Sequence, residues 1–240
     1  MLKRLIFPVA VTLSLLGLIS VVQMPFISAA SNGSGDVVTQ TVPGQTVAEK
    51  LTQRAKTSWP WYLTRASGLV AAITLIILIL SGIGQVTGYT FKLLDPLTAW
   101  ASHRAIGIAC GISIFIHIFS LLFDKFVGFN LIQLFIPWVS NYKPAVIFGI
   151  HAGSIWVALG VLAFYLTWIV IITSLIWVEK KPHTWKLIHF LSYLVIAMVF
   201  VHALYLGTDL SHGIWRLVWW LIGIAIIVAS IHRLWRAKTV

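Results

Sequence analysis

The chain has 240 residues, of which 59% are hydrophobic and only 10% are charged. Soluble domains carry about 25% charged residues, so this composition excludes an ordinary soluble protein and indicates a membrane protein. The net charge of +11 does not indicate nucleic-acid binding, because the basic residues stand at the ends of apolar runs, where orientation in a membrane accounts for them. Cys110 is the single cysteine, which excludes an intrachain disulfide and a cysteine-ligated iron–sulfur cluster.

The first apolar run, residues 5–27, follows Lys3 and Arg4. It exceeds the roughly 7–15 apolar residues of a signal peptide, so we interpret residues 1–30 as a signal peptide or first transmembrane helix, with the uncleaved helix favoured. Both interpretations place residue 31 outside the cytoplasm. Residues 31–57 are rich in Ser, Thr, Gln and Gly, and we interpret them as an extracytoplasmic polar linker whose end becomes helical.

Five further apolar runs are each long enough to cross a bilayer, which takes about 20 apolar residues. Lipid admits only helices or closed barrels, and these runs show no period-two alternation. The predicted fold is an all-α membrane protein, a bundle of six transmembrane helices (five if the N-terminal segment is cleaved), multi-pass in the plasma membrane. The five runs lie near residues 61–87, 98–123, 147–178, 185–207 and 213–234.

The lysines and arginines at the helix ends predict the orientation of the bundle. With the start of the chain inside, ten basic residues fall on the cytoplasmic side and seven on the outer side. Three of those seven belong to the segment 31–57, so the short loops favour this orientation more clearly. The runs near 98–123 and 185–207 then both cross from inside to outside.

Four histidines lie inside these two runs, as two spaced pairs. His103 and His117 are fourteen residues apart, which in a helix is a rise of roughly 21 Å and a return to within about 40° of the same face. His189 and His202 are thirteen residues apart, and an ideal helix would leave them about 140° apart. A bulge or kink must correct that angle if both are ligands. In the predicted orientation His103 and His189 share the inner level, and His117 and His202 share the outer level.

Histidine pairs at two levels are typical of haem ligation, because neutral imidazole is a good ligand for iron. Two axial histidines leave no open coordination position, so such a haem carries electrons rather than activating a substrate. A haem-free path for protons or a divalent metal is the alternative, since histidine chains also serve transport. Acidic residues are absent from the middles of these helices, which argues against transport. A third interpretation is a membrane anchor in which the histidines only pack.

The pattern resembles the ferric reductase-like transmembrane domain family, which includes NADPH oxidases, yeast-type ferric reductases and bacterial membrane haem proteins. The resemblance covers roughly residues 60–235. It is carried by the two histidine pairs and by three motifs: WYLTRASGL at 61–69, TWKLIHFLSY at 184–193 and HALYLGTD at 202–209.

The resemblance implies that residues 58–240 form a haem-binding domain with two b-type haems, one held by His103 with His189 and one by His117 with His202. It also implies that the thirteen-residue spacing is workable. Many members continue into a flavin and nicotinamide domain, whereas this sequence shows no glycine-rich dinucleotide fingerprint. We therefore expect a stand-alone haem subunit, like the one in the bacterial periplasmic methionine sulfoxide reductase system. The expected donor is a separate flavoprotein or quinol, and the expected acceptor an extracytoplasmic reductase or ferric chelate.

Two arginines near the predicted haem levels are candidate partners for haem propionates. Arg65 lies just inside the outer end of its run, and Arg104 directly follows His103. Arginine matches a carboxylate through two parallel hydrogen bonds, so both are predicted cofactor-binding residues. The alternative is that each reaches the membrane interface with an apolar stem in lipid.

Overall fold

The structure is a computed structural model. The residues that it describes are 47–143, 146–147, 150–151, 154–210 and 212–239. The apolar run at residues 5–27 lies outside them, so the sixth helix and the signal peptide stay predictions. The segment 31–57 is described only from Val47, where the first described helix begins.

Seven α-helices, two short 3₁₀ turns and one two-stranded hairpin make up the described part of the chain. The helices are α1 (Val47–Thr87), α2 (Pro96–Leu121), α3 (Leu131–Phe135), α4 (Ile155–Ile176), α5 (Pro182–His189), α6 (Ser192–Leu206) and α7 (Gly213–Thr239). The hairpin pairs β1 (Val146–Ile147) with β2 (Ile150–His151), antiparallel, and the 3₁₀ turns are Thr90–Lys92 and Thr208–Leu210.

Five segments of the described chain are long and apolar enough to cross a membrane, and α5 and α6 together form one of them. No more than 33% of the most apolar stretch of any segment is buried inside the protein, so most of each helix faces outward, as in a helix surrounded by lipid. The all-α, multi-pass membrane fold is thereby confirmed, whereas a count of six is not. The segments are Ser58–Thr87, Pro96–Leu121, Ile155–Ile176, Pro182–Leu206 and Gly213–Arg236.

Local capping decides where two of these helices begin. The Asp95 carboxylate accepts a hydrogen bond of 2.9 Å from the Thr98 backbone N–H, and Pro96 occupies the first turn, where its missing N–H does no harm. The hydrogen bonds that the Asp95 carboxylate accepts from Thr98 hold the pKa of this carboxyl below its ordinary value. The Ser154 hydroxyl accepts from the Val157 N–H at 3.3 Å, so α4 begins at Ile155 and not near residue 147.

Two antiparallel helix pairs form the frame of the bundle. α2 packs along α1, and α6 packs along α4, while α7 covers α1 from another side. The two pairs meet in a buried apolar cluster at mid-membrane. Its members are Leu75 and Ile79 of α1, Cys110 of α2, Val195 and Ile196 of α6, and Ile226 of α7.

Candidate functional site

Both histidines of α2 face α1. The Nδ1 atom of His103 lies 2.9 Å from the Ser81 hydroxyl oxygen. The Nδ1 atom of His117 lies 2.8 Å from the Thr64 backbone oxygen. The fourteen-residue spacing thus places the two rings on one face of the helix, as predicted.

Both histidines of the α5–α6 segment face α4. The Nδ1 atom of His189 lies 3.1 Å from the Ser174 hydroxyl oxygen, and that of His202 lies 2.8 Å from the Trp156 backbone oxygen. The thirteen-residue spacing therefore brings both rings to the same neighbouring helix, in spite of the mismatch of an ideal helix.

A break in the helix between the two histidines makes this possible. The Leu191 N–H donates to the Ile188 carbonyl at 2.9 Å, and the Tyr193 N–H donates to the Phe190 carbonyl at 3.2 Å. These three-residue bonds are those of a 3₁₀ helix, which advances about 120° per residue where an α-helix advances about 100°. About four such residues add roughly 80° and so remove more than half of the mismatch. The predicted distortion is confirmed, immediately before Ser192.

The partners of Nδ1 decide which ring nitrogen carries the proton in three of the four histidines. A carbonyl can only accept, so Nδ1 of His117 and of His202 must be the N–H donor. The Ser81 hydroxyl donates its proton to the Leu78 carbonyl at 3.1 Å, so it accepts from Nδ1 of His103. In these neutral rings the lone pair is therefore on Nε2, the nitrogen that is left to bind a metal.

Trp185 extends this arrangement at the fourth histidine. Its indole N–H donates to the Ser174 hydroxyl at 3.1 Å, and its ring centroid lies 5.3 Å from that of His189. Ser174 is thus held between Trp185 and His189. The Trp185-to-His189 part of the TWKLIHFLSY motif has a concrete role, which is to fix the ring of His189.

The Nε2 atoms of all four histidines have no hydrogen-bond partner among the residues that the structure describes. The ring centroids of His103 and His189, here named the first tier, are 6.2 Å apart with the planes at 52°. Two imidazoles each bonded at about 2 Å to one metal have centroids roughly 6 Å apart, so this spacing fits a shared metal. His117 and His202, here named the second tier, are each bonded through Nδ1 to a backbone carbonyl of the other helix in their pair.

Three glycines lie against the histidine rings. A Cβ atom at Gly160 would stand 2.5 Å from Cε1 of His202, and one at Gly68 would stand 2.9 Å from Nδ1 of His117. A Cβ at Gly82 would lie 3.4 Å from Cε1 of His103, which is near ordinary contact. The absence of a side chain at Gly68 and Gly160 therefore allows the second-tier rings to sit against the backbone of the neighbouring helix.

The two helix pairs repeat the same support pattern. In each pair, the backbone carbonyl that accepts the Nδ1 hydrogen bond of the second-tier histidine lies four residues before the glycine that contacts the same imidazole ring. The serine that bonds to the first-tier histidine follows that glycine by thirteen positions in α1 and by fourteen in α4. The matched positions of α1 and α4 are Thr64 with Trp156, Gly68 with Gly160, and Ser81 with Ser174.

An apolar layer separates the tiers. Cys110 and Val195 are 0% and 1% exposed and stand midway along their helices between the histidines. Cys110 is thus a packing residue, as its sequence context predicts. In the same region a Cβ at Gly111 would come within 3.6 Å of the Trp168 ring, whose buried N–H has no hydrogen-bond partner in the described part of the chain.

The two arginines are placed at opposite ends of the tiers. Arg65 makes a forked hydrogen bond to the carboxylate of Asp209, and its guanidinium carbon lies 4.2 Å from the Trp61 ring centroid. This ion pair joins α1 to the turn that follows α6. Arg104 is exposed, with its guanidinium carbon 5.5 Å from the Trp100 ring centroid. A propionate contact stays a prediction for both.

Two features of all four histidines fit haem ligation: each Nδ1 atom is hydrogen-bonded to a neighbouring helix, and each Nε2 atom is bare in the part of the chain that the structure describes. The 6.2 Å separation of the His103 and His189 rings fits a shared metal in the first tier, and Gly68 and Gly160 make room for the rings of the second tier. Within the described residues no three His, Cys, Asp or Glu side chains are placed to hold a metal ion together. No family model, no curated protein and no solved structure matches this chain. The resemblance to the ferric reductase-like family therefore stays a prediction.

Sequence reasoning missed the supporting residues of the site. Ser81, Ser174 and the three glycines are ordinary in composition, and none of them was singled out by charge or by motif. A signal was nevertheless present, because Gly68 and Gly82 repeat the fourteen-residue spacing of His103 and His117.

Proposed function

We propose that this chain is a di-haem b-type membrane cytochrome, the membrane electron-transfer subunit of an oxidoreductase of the ferric reductase-like kind. One b-type haem would be held by His103 with His189 and the other by His117 with His202. The observation that carries the proposal is the 6.2 Å separation of the His103 and His189 rings, together with the Nδ1 bonds of both.

A haem held by two of these imidazoles would supply a one-electron couple. The residues of the chain provide the conditions for that chemistry. Hydrogen bonds from Nδ1 fix the rings of His103, His117 and His202 and increase the basicity of their Nε2 atoms. The buried side chains of Cys110 and Val195 fill part of the space between the tiers.

The direction of electron flow follows from the predicted orientation. The Lys and Arg distribution predicts that the first tier lies at the cytoplasmic side and the second tier at the outer side of the plasma membrane. Electrons from a flavoprotein or from quinol would enter at the first tier. They would leave at the second tier to an extracytoplasmic reductase or a ferric chelate.

The alternative function, a haem-free histidine path for protons or a metal ion, is less well supported. A proton path needs a chain of polar groups from one tier to the next. The space between the tiers is instead filled by Cys110, Val195 and Ile196, all buried. In addition, the Nδ1 protons of His117 and His202 are engaged by backbone carbonyls, which pass no proton onward.

The absorption spectrum of the purified protein tests the proposal. Dithionite-reduced protein from haem-replete cells should show the Soret and alpha bands of b-type haem, at about two haems per chain. A colourless protein would exclude the cytochrome, and the transport alternative would then be the one to pursue.

A further inference from the structure

The guanidinium of Arg233, at the first-tier end of α7, lies against the turn that joins α5 to α6. It donates a hydrogen bond to the Tyr193 hydroxyl. Its central carbon is 5.0 Å from the ring centroid of Phe190 and 5.4 Å from that of Tyr193, and all three side chains are only partly exposed. An arginine that only marks helix orientation extends its charge to the membrane interface, whereas Arg233 places it on the turn of a neighbouring segment.

Phe190 and Tyr193 are the two residues joined by one 3₁₀ hydrogen bond, from the Tyr193 N–H to the Phe190 carbonyl at 3.2 Å. In a 3₁₀ helix, side chains three residues apart are eclipsed, whereas in an α-helix they are offset by about 60°. The two rings are accordingly stacked, with centroids 6.4 Å apart and planes at 25°. A planar cation in contact with both rings favours this eclipsed arrangement, and with it the 3₁₀ turn.

This turn sets the direction of His189, which directly precedes Phe190. In an ideal helix His189 and His202 would point about 140° apart, and the turn supplies much of the rotation that brings both to α4. The His189 ring is held at Nδ1 by the Ser174 hydroxyl, 3.1 Å away. The ring of His189 is thus fixed from α4, and the backbone that carries it is fixed from α7.

We propose that Arg233 is a positioning residue for the first tier. Its guanidinium keeps Phe190 and Tyr193 stacked, holds the 3₁₀ turn, and so fixes the angle between the His189 and His103 rings, whose planes stand at 52°. Its positive charge beside the turn would also favour the reduced over the oxidised state of a haem held there. The inference rests on the proposed function, because the ring that Arg233 positions is a ligand only where haem is bound.

Electron paramagnetic resonance of the oxidised, purified full-length protein tests the inference. The largest g value of a low-spin haem with two imidazole ligands depends on the angle between the imidazole planes. The signal that disappears in His103→Ala identifies the first tier. Arg233→Met keeps an apolar stem but removes the charge and the donors. It should shift the first-tier g value and lower the first-tier midpoint potential, and it should leave the second-tier g value unchanged.

The matched control is Arg236→Met. Arg236 lies three residues later on the same helix, but it is exposed and its guanidinium carbon lies 5.4 Å from the ring centroid of Tyr89, away from the turn. Both g values should stay at those of the wild type in this variant.

Two further variants separate the hydrogen bond and the charge from the contact with the rings. Tyr193→Phe removes the hydroxyl and keeps the ring, so it should shift the first-tier g value in the same direction as Arg233→Met but by less. It carries the test if Arg233→Met loses its first-tier haem. Arg233→Lys restores the charge without the planar group, so the potential should return toward the wild-type value while the g value stays shifted.

Three results would overturn the inference. The first is an unchanged first-tier g value in both Arg233→Met and Tyr193→Phe, and the second is an equal shift in Arg236→Met. The third is complete recovery of the g value in Arg233→Lys, which would show that the charge alone acts. A wild type without haem would exclude the proposed function together with this inference, whereas two haems and an unchanged g value in the variants would exclude the inference alone.

Discussion

Gly160 lies directly beneath the imidazole of His202, so close that a Cβ atom there would stand 2.5 Å from Cε1 of the ring. The ring cannot move away easily, because Nδ1 of His202 is hydrogen-bonded at 2.8 Å to the carbonyl of Trp156. Trp156 lies on α4, one turn before Gly160. Helix α4 thus sets the position of His202 by its backbone alone.

Gly160→Ala should therefore displace His202 and reduce haem occupancy of the second tier roughly tenfold, because overpacking of this kind costs about 1–3 kcal/mol. Gly82→Ala is the matched control, since a Cβ at Gly82 would lie 3.4 Å from His103. The measurement is haem per chain from the pyridine haemochrome spectrum. Equal haem content in the two variants would show that the contact at Gly160 does not position the ligand.

Ser81→Ala removes the hydroxyl that accepts the Nδ1 proton of His103. The ring then donates less electron density to the metal, and the oxidised form loses more stability than the reduced form. We expect the midpoint potential of the first tier to rise by on the order of 40 mV, which corresponds to one hydrogen bond of about 1 kcal/mol in a one-electron couple.

Spectroscopic redox titration measures this shift, with Ser113→Ala as the control. Ser113 also lies on a membrane helix but bonds to the carbonyl of Ala109 in its own helix. A potential that stays the same, or falls, in Ser81→Ala would mean that the hydroxyl does not act on the haem ligand.

The ion pair between Arg65 and Asp209 joins the two helix pairs, and about a third of each side chain is exposed. Asp209→Asn should lower the free energy of unfolding by no more than about 1 kcal/mol, because solvent screens such a pair. Haem content should stay at the wild-type level. Thermal denaturation followed by haem absorbance gives both values. A large loss of haem in Asp209→Asn would indicate that Asp209 positions Arg65 for a second role, such as the predicted propionate contact.

The overall fold was accessible from the sequence because lipid leaves few choices. Five apolar runs of spanning length can only be helices, and the structure places helices on all five. The residue at which a helix begins was not predictable from apolar content where a polar cap decides it. Ser154, and not the apolar content of residues 147–154, determines the start of α4.

The histidine arrangement was predictable only in part. The fourteen-residue spacing of His103 and His117 is enough to place both rings on one face. The thirteen-residue spacing of His189 and His202 is not enough to do so. The 3₁₀ turn at Phe190 and Leu191 that corrects the angle is not predicted by any local sequence pattern.

Haem quantification in the four single variants His103→Ala, His189→Ala, His117→Ala and His202→Ala tests the central claim most directly. If each tier holds one haem, every variant should keep about one of two haems. The first two variants should share one residual spectrum and potential, and the last two should share another. Unchanged haem in any of the four, or a spectrum that groups His103 with His117, would contradict the assignment of the tiers.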